Sequence, residues 1–424
     1  MPVIGALGSA KGTQYASFRM PENIVIVGGG QAAAQAVETL RRKGYTGALT
    51  IIGEEPSLPY QRPPLSKKYL AGSFARDRLP FRHQSFYDEH AIRLHLGRRA
   101  TRIDRLARTV TLDDGSTHAY DALLLATGSR ARRVEVPGAD LPGIFTLRTA
   151  ADVDAIRAEA RPGRRAVIVG GGYIGLEAAA VLRELGLEVT VIELADRVMN
   201  RVVCEPVSRF FEAEHARHDV RILLQTGLAA FSGDTRVRAV RDSDGGEHPA
   251  DLVIVGVGVA PVDELAREAG LACDNGVVVD EYCRTSDPHI YAAGDCTNHP
   301  SARYGRRLRL ESVDSAFEQA TSAALNLIGT ATVHDKTPWF WSDQYDAKLI
   351  IVGLSQGHDR VVLRGDPATR SFSACYLRDG ELLAVDTVNS AKDQMVARKL
   401  VAARVRPDPA RLADITLSLR DCVD

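Results

Sequence analysis

The sequence predicts an α/β chain: two Rossmann-type dinucleotide-binding units followed by a smaller C-terminal α+β domain. Three observations carry this. The stretch VIVGGGQAAAQ from Val25 to Gln35 is written again, almost unchanged, as VIVGGGYIGLE from Val167 to Glu177. In both, an apolar strand runs into glycines and restarts as a helix, the opening of a parallel sheet. After Pro338 the character changes to short alternating strands and one late helix, the pattern of a separate α+β unit.

Length and composition set the frame. A chain of 424 residues exceeds one core and divides into two or three domains. With 45% hydrophobic residues, 25% charged residues and a formal net charge of −1, it has the balance of a soluble globular protein. That charge gives no global attraction to nucleic acid or membrane, so neither is expected as a partner. No apolar run approaches a bilayer span, and the expected location is the cytoplasm. The six cysteines contain no C-x-x-C, so no metal site is expected and reduced thiols are the simplest reading. Residues 1–19 lack the features of a signal peptide and precede a second methionine, Met20; they are expected to be a dispensable, disordered extension.

The first unit reads as strand Asn23–Val27, a helix from about Gln31 to Lys43 and strand Ala48–Ile52. The segment PSLPYQRPPLSK, Pro56 to Lys67, holds four prolines and must be an ordered loop. Strands near Arg108–Leu112 and Ala122–Ala126 follow, the latter ending in Ala126-Thr127-Gly128. The second unit repeats this with strand Ala166–Val169, a helix from about Ile174 to Leu185 and strand Glu188–Ile192. It closes on Leu252–Gly258. Strand Ile290-Tyr-Ala-Ala-Gly-Asp295 and a helix from Ser312 to Ile328 return to the first unit. Strands at Ala347–Val352, Arg360–Leu363, Phe372–Leu377 and Leu382–Thr387 and a helix near Asp393–Ala403 make the last domain.

In the second turn the spacing is Gly170-x-Gly172-x-x-Gly175: tight turn, close approach to a pyrophosphate, and helix–strand packing, with the helix N-terminus facing the phosphates. Glu193 closes the following strand, where a carboxylate accepts from a ribose 2′-OH and repels a 2′-phosphate. NADH is therefore expected over NADPH. The first turn, Gly28-x-Gly30-x-x-Ala33, has alanine at the packing position. Glu54 and Glu55 both follow its second strand, and the sequence does not choose between them. Two such sites on one chain suggest a flavin and a nicotinamide exchanging electrons, FAD and NADH.

VIVGGGQAA, PYQRPPLSKKYL, ATGSR, GGGYIGLE, TSDPHIYAAGD and PWFWSDQYDAKL together resemble the FAD-dependent ferredoxin reductases of bacterial oxygenase systems, from Met20 to the end of the chain. The resemblance implies a glutathione-reductase-like fold. Its FAD domain would comprise 20–130 and 263–332, its NADH domain 131–262, and its C-terminal domain 333–424. It also implies an activity: NADH gives two electrons to FAD, which passes them singly to a 2Fe–2S ferredoxin serving a cytochrome monooxygenase or a ring-hydroxylating oxygenase.

Gly28, Gly30 and Ala33 would then form the FAD turn, with Glu54 on its ribose. Lys67 would sit beside the flavin, Ala100 and Arg130 would line its site, Asp295 would hold its ribitol, and Val313 would pack near its ring. Gly170, Gly172, Tyr173, Ile174, Gly175, Glu193 and Gly258 would hold NADH. Trp339 and Trp341 share a strand face, as a step toward the acceptor or as flavin-shielding aromatics. The cofactors carry the redox chemistry and the protein positions them. Lys67 would balance the negative charge of a reduced flavin. Glu177 is expected either to pair with Lys67 at the nicotinamide entrance or to face solvent. The run Arg303, Arg306, Arg307, Arg309 is a candidate docking face for an acidic ferredoxin.

Where the family commonly has proline followed by asparagine, this chain has Pro261-Val262, which bears on nicotinamide placement. Residues 1–203 contain no cysteine, which opposes a thiol relay and the thiol-dependent NADH oxidases. A redox-switched signalling flavoprotein is the other reading; no nuclear-targeting basic run or long insertion supports it.

Overall fold

The computed structural model describes residues 19–423. The extension expected over residues 1–19 lies, Arg19 apart, outside the described residues.

Two five-stranded parallel sheets repeat one plan. In the first, the order is Ile290–Ala292, Ala122–Leu125, Asn23–Val27, Ala48–Gly53, Ile92–Leu96. In the second it is Ile144–Phe145, Leu252–Val255, Arg165–Val169, Glu188–Ile192, Arg221–Leu223. The strand before each glycine turn is central, so Ile24 and Ile26, like Val167 and Ile168, are almost wholly buried. Strands covered on both faces read as unbroken apolar runs, which is why both are visible in the sequence. Each unit also carries a three-stranded antiparallel sheet, 100–119 in the first and 228–249 in the second. The chain crosses between the units where Ser129–Ala131 pairs antiparallel with Val259–Pro261.

The C-terminal domain is a five-stranded antiparallel sheet ordered Trp339–Gln344, Ala347–Gly353, Glu381–Val388, Phe372–Arg378, Arg360–Arg364. Helix Ala391–Ala402 packs on its outer face, with Ala397 and Val401 fully buried. The inner face, including Leu349, Ile351, Ala374 and Tyr376, packs against Leu176, Val207 and Phe211 of the second unit.

Two local differences from expectation matter for the site. The proline segment is not wholly irregular: Pro63–Ser66 forms a 3-10 turn with proline at its first positions, and Tyr60 bridges to Pro80. The pre-set φ of proline favours such a turn, and it aims Ser66 and Lys67 in a defined direction. The basic run, for which the sequence predicts no local structure, spans a hairpin in which Thr297–Ser301 pairs antiparallel to Arg306–Leu308.

Candidate functional site

The glycine turns bring backbone very close to backbone. Gly28 has φ of +129°, and a Cβ there would lie 2.0 Å from the Ala126 carbonyl oxygen. Gly170, at +108°, would place one 2.5 Å from the Gly256 oxygen. No L side chain fits either position. Gly30 and Gly172 differ: a Cβ on either meets nothing within 4 Å, so the space above them is open to a ligand. The helices that follow, Gln31–Arg42 and Tyr173–Glu184, carry no side-chain cap and no acid in their first turns. By contrast, Thr149 and Ser312 cap the helices beside them with their own hydroxyls. Unfilled amides at a positive dipole end above a glycine are a cradle for phosphate. The residues fit a dinucleotide in both turns.

The first turn opens into a cavity of about 1220 Å³ bounded by all three parts of the chain, a size for a large cofactor rather than a small ligand. Of the expected residues, Gly28, Gly30, Glu54, Lys67, Ala100, Arg130, Asp295, Val313 and Trp339 line it, joined by Tyr173, Ile174 and Glu177 from the second unit. Ala33 does not line it; it is fully buried beneath the turn. Gly170, Gly172, Gly175, Glu193 and Gly258 cluster around the second turn, where Gly258 adjoins the cavity-lining Val259.

Glu55 accepts from the Tyr60 hydroxyl at 2.5 Å and from Arg62 at 2.7 Å. Both acids line the cavity, and among the described residues Glu54 has no such partner. Glu193 is engaged on the protein itself: one oxygen accepts from the Gly171 amide at 2.6 Å and the other from Ala195 at 2.8 Å.

Lys67 and Glu177 meet at 2.7 Å, with Glu177 almost wholly buried; the solvent-facing alternative for Glu177 is not what the chain adopts. Ser66 donates to one carboxylate oxygen of Glu177 at 2.5 Å and Ser342 to the other at 2.7 Å. A buried charge is tolerated only when paired and hydrogen-bonded in this way. Asp295 accepts from Ser129 at 2.7 Å and from Arg148 at 3.2 Å. Burial pushes the Arg148 guanidinium down from its ordinary value, with the Asp295 charge opposing. Sequence reasoning missed Arg62, Arg148, Ser66, Ser129 and Ser342. Arg62, Ser66, Ser129 and Ser342 stand inside quoted motifs; Arg148 alone of the five does not.

Tyr173 lies against Phe340 with ring centroids 4.7 Å apart. Trp339 and Trp341 stack at 5.3 Å, and both line the cavity. The Arg398 guanidinium sits 3.7 Å above Trp339. Trp339 also lines a second, charged depression with Arg303, Lys336, Arg398 and Arg404, so one indole forms the wall between cavity and outer surface. Within the basic run, Arg307 is spent on Asn298 and the Val279 carbonyl, Arg309 on Glu311, and Arg303 on the carbonyls of Val401 and Ala402. The Arg306 side chain donates to Gln356 at 3.0 Å and is exposed. Arg130 pairs with Glu264 at the cavity edge.

All six cysteines are free, and none lines the cavity. Among the described residues no group of three His, Cys, Asp or Glu is arranged to hold a metal ion. No helix among them is long and apolar enough to cross a membrane.

Comparison with known proteins agrees with this geometry. Residues 22–320 match the pyridine nucleotide-disulphide oxidoreductase family and residues 339–423 the reductase C-terminal family. The chain is 47% identical to the 5,5'-dehydrodivanillate O-demethylase ferredoxin reductase subunit of Sphingobium sp., over 94% of this chain and 97% of that protein. It is 43% identical to rhodocoxin reductase of Rhodococcus erythropolis, over 94% and 93% of the two chains. The reductase of the covalent putidaredoxin reductase–putidaredoxin complex superposes with a TM-score of 0.92 at 40% identity, covering 95% of this chain and 98% of that one. With family matches over both glycine turns and the third domain, the chain belongs to the pyridine nucleotide-disulphide oxidoreductases that carry a reductase C-terminal domain.

Proposed function

We propose that this enzyme, an FAD-dependent ferredoxin reductase, takes electrons from NADH at the second glycine turn and releases them from the large cavity to a 2Fe–2S ferredoxin. The observation that carries the reading is a cofactor-sized cavity that opens from the first phosphate cradle, reaches Tyr173 and Ile174 at the start of the helix after the second, has no cysteine in its lining, and shares Trp339 with the outer depression. Relatives at this identity are named as ferredoxin reductases of oxygenase or demethylase systems, and a structural neighbour is a reductase bound to its putidaredoxin.

FAD, when bound, supplies the conversion of a two-electron hydride donor into single electrons. The chain's residues supply the rest. The amides above Gly30 hold the pyrophosphate and Glu54 accepts from the ribose. Asp295, oriented by Arg148 and Ser129, accepts from the ribitol hydroxyls. Lys67 places a positive charge beside the isoalloxazine, and Glu177 keeps the ammonium in position. Tyr173, braced by Phe340, covers the route by which the nicotinamide enters. At the second turn, Glu193 must trade its Gly171 contact for the NADH ribose. This arrangement lets NADH come and go.

Docking belongs on the face beyond Trp339. Arg306, exposed and bonded to Gln356, is the member of the basic run most available to an acidic partner; the depression beyond Trp339 is lined by Arg303, Lys336, Arg398 and Arg404 but also by Asp314, Glu318 and Asp335. Redox encounters of this kind are small and charge-steered.

Two measurements test the proposal. Anaerobic addition of NADH should bleach the bound flavin, and oxidised 2Fe–2S ferredoxin should restore it with stoichiometric reduction; a bleached flavin that ferredoxin leaves unchanged would refute the acceptor. Arg306→Glu should raise the KM for ferredoxin severalfold with NADH–ferricyanide turnover unchanged. An unaltered ferredoxin KM would remove the docking assignment.

A further inference from the structure

Glu177 is held from three directions, and one of them leads away from the cavity. Its Oε1 accepts both from Lys67 and from Ser342, each at 2.7 Å. Ser342 in turn accepts from the side-chain amide of Gln344 at 3.3 Å. The Gln344 carbonyl lies 2.9 Å from Nε2 of His215, on helix Glu205–Arg217 of the second unit. His215, Gln344, Ser342 and Glu177 are 0, 1, 0 and 3% exposed, so water does not satisfy these groups and each must use its neighbours.

That burial fixes the direction of every bond. Desolvation pushes His215 down to about 4, so the ring is neutral at pH 7. Its Nε2 proton goes to the Gln344 oxygen, because an amide oxygen only accepts, and Nδ1 is left to accept from the Tyr345 hydroxyl at 3.4 Å. The Gln344 amide therefore points its N–H at Ser342, and the single Ser342 proton is left for Glu177. Chains of this kind strengthen link by link in a low dielectric.

We propose that His215, Gln344 and Ser342 form a one-directional hydrogen-bond chain through which the C-terminal domain positions Glu177 and sets how much of the Lys67 charge reaches the flavin. Ser342 shares Oε1 with the ammonium. With the hydroxyl present, the carboxylate is partly neutralised from behind and the Lys67 charge projects further into the cavity. Without it, Oε1 belongs to Lys67 alone, the ion pair tightens, and less positive field reaches a flavin that gains negative charge on reduction. Ser342 is thus a positioning residue for the electron-transfer reaction, acting through Glu177. The inference rests on the isoalloxazine lying beside Lys67, as proposed above.

The test is the two-electron midpoint potential of bound FAD, measured anaerobically by dye equilibration on the holoenzyme. Ser342→Ala should lower the reduced-to-oxidised ratio at a fixed potential by about three- to tenfold, tenfold being about 30 mV for a two-electron couple. Glu177→Gln removes the counter-charge and should shift the ratio upward. Ser342→Thr keeps the hydroxyl and should restore the wild-type value. In the Ser342→Ala/Glu177→Gln double variant the first change should add nothing to the second. If Ser342→Ala does not retain FAD, Gln344→Leu, which leaves the serine in place but frees its rotor, should give a smaller fall of the same sign.

A potential that moves in Glu177→Gln but not in Ser342→Ala overturns the chain while leaving the flavin placement intact. A lowered melting temperature in Ser342→Ala at unchanged potential overturns it equally, assigning the serine to packing alone. A potential indifferent to Glu177→Gln refutes the placement of the ring beside Lys67 instead.

Discussion

The two glycine turns have the same sheet plan, the same tight first glycine and the same open second one, yet they differ at two atoms' worth of chemistry. At the packing position the first turn carries Ala33, fully buried in its core. The second carries Gly175, where a Cβ would lie 2.2 Å from the Gly170 oxygen. At the end of the second strand, one residue beyond the pair Val27–Ile52, stands Gly53; beyond the matching pair Val169–Ile192 stands Glu193. The second turn therefore has a carboxylate on its own amide, and the first does not. A ligand entering the first turn displaces nothing on the protein, whereas one entering the second must replace an internal charge-assisted bond. On the proposed function, this difference is what separates a resident cofactor from an exchanging one.

Removing the carboxylate tests that difference hardest. Glu193→Ala should lower kcat/KM for NADH by about ten- to a hundredfold, the range of a lost hydrogen bond to a charged group. The NADPH-to-NADH ratio should rise because the repulsion of a 2′-phosphate goes with it; steady-state ferricyanide reduction with each nucleotide reads both. An unchanged ratio would break the assignment of Glu193.

The packing position gives a smaller effect. Gly175→Ala forces a methyl onto the Gly170 carbonyl and should cost roughly 1–3 kcal/mol. Ala33→Gly loses only a buried methyl and some helix propensity, about 1 kcal/mol. Thermal unfolding of the two variants should rank them in that order, and equal shifts would remove the distinction.

A further expected effect concerns acid and vanishes at neutral pH. The second turn's helix is tied to the C-terminal sheet through Ser342–Glu177, and the same sheet holds His215 through Gln344; the helix of the first turn has no such tie to that sheet among the described residues. His215 also faces Tyr345, with His218 and Glu214 on its own helix. Its folded value of about 4 lies below the ordinary 6.5, so the unfolded chain binds the extra proton between them. The stability this site contributes is fully present above about pH 6.5 and is lost as pH falls toward 4, at most about 1.4 kcal/mol per pH unit. His215→Gln, which retains a donor for Gln344, should flatten the fall of the melting temperature over that window. A slope equal to wild type would contradict the buried neutral imidazole.

How far these features are legible in the sequence follows from the range of the interactions. Both turns, their helices and Glu193 are local patterns, written within one strand–helix–strand unit. The meeting of Lys67 with Glu177 is reachable because each stands in a quoted motif. That Glu55 and not Glu54 is engaged by Tyr60 and Arg62 is not legible, because it depends on how the proline segment folds back on the second acid. Ser342 reaches Glu177 across 165 residues and Arg62 reaches the Arg148 carbonyl across 86, and no periodicity records such contacts. The edge strand Ile92–Leu96, IRLHL, escapes for another reason: it mixes buried and half-exposed positions and lacks the apolar run of the central strands. The spacing of the basic run does not record that Arg303, Arg307 and Arg309 bond within the hairpin and to its neighbours while Arg306 stays exposed.

The central claim, that the first turn holds a resident flavin and the second an exchanging nicotinamide, is tested most directly by a matched pair of variants, Gly30→Val and Gly172→Val. Both positions have extended backbone and room for a side chain, so both proteins should fold and each added side chain should occupy only its own phosphate cradle. Flavin content after gel filtration, followed by anaerobic NADH and then dithionite, reads the outcome. Gly30→Val should emerge folded and without flavin. Gly172→Val should carry a full complement of flavin that dithionite bleaches and NADH does not. Flavin retained in the first variant, or lost from the second, would contradict the account.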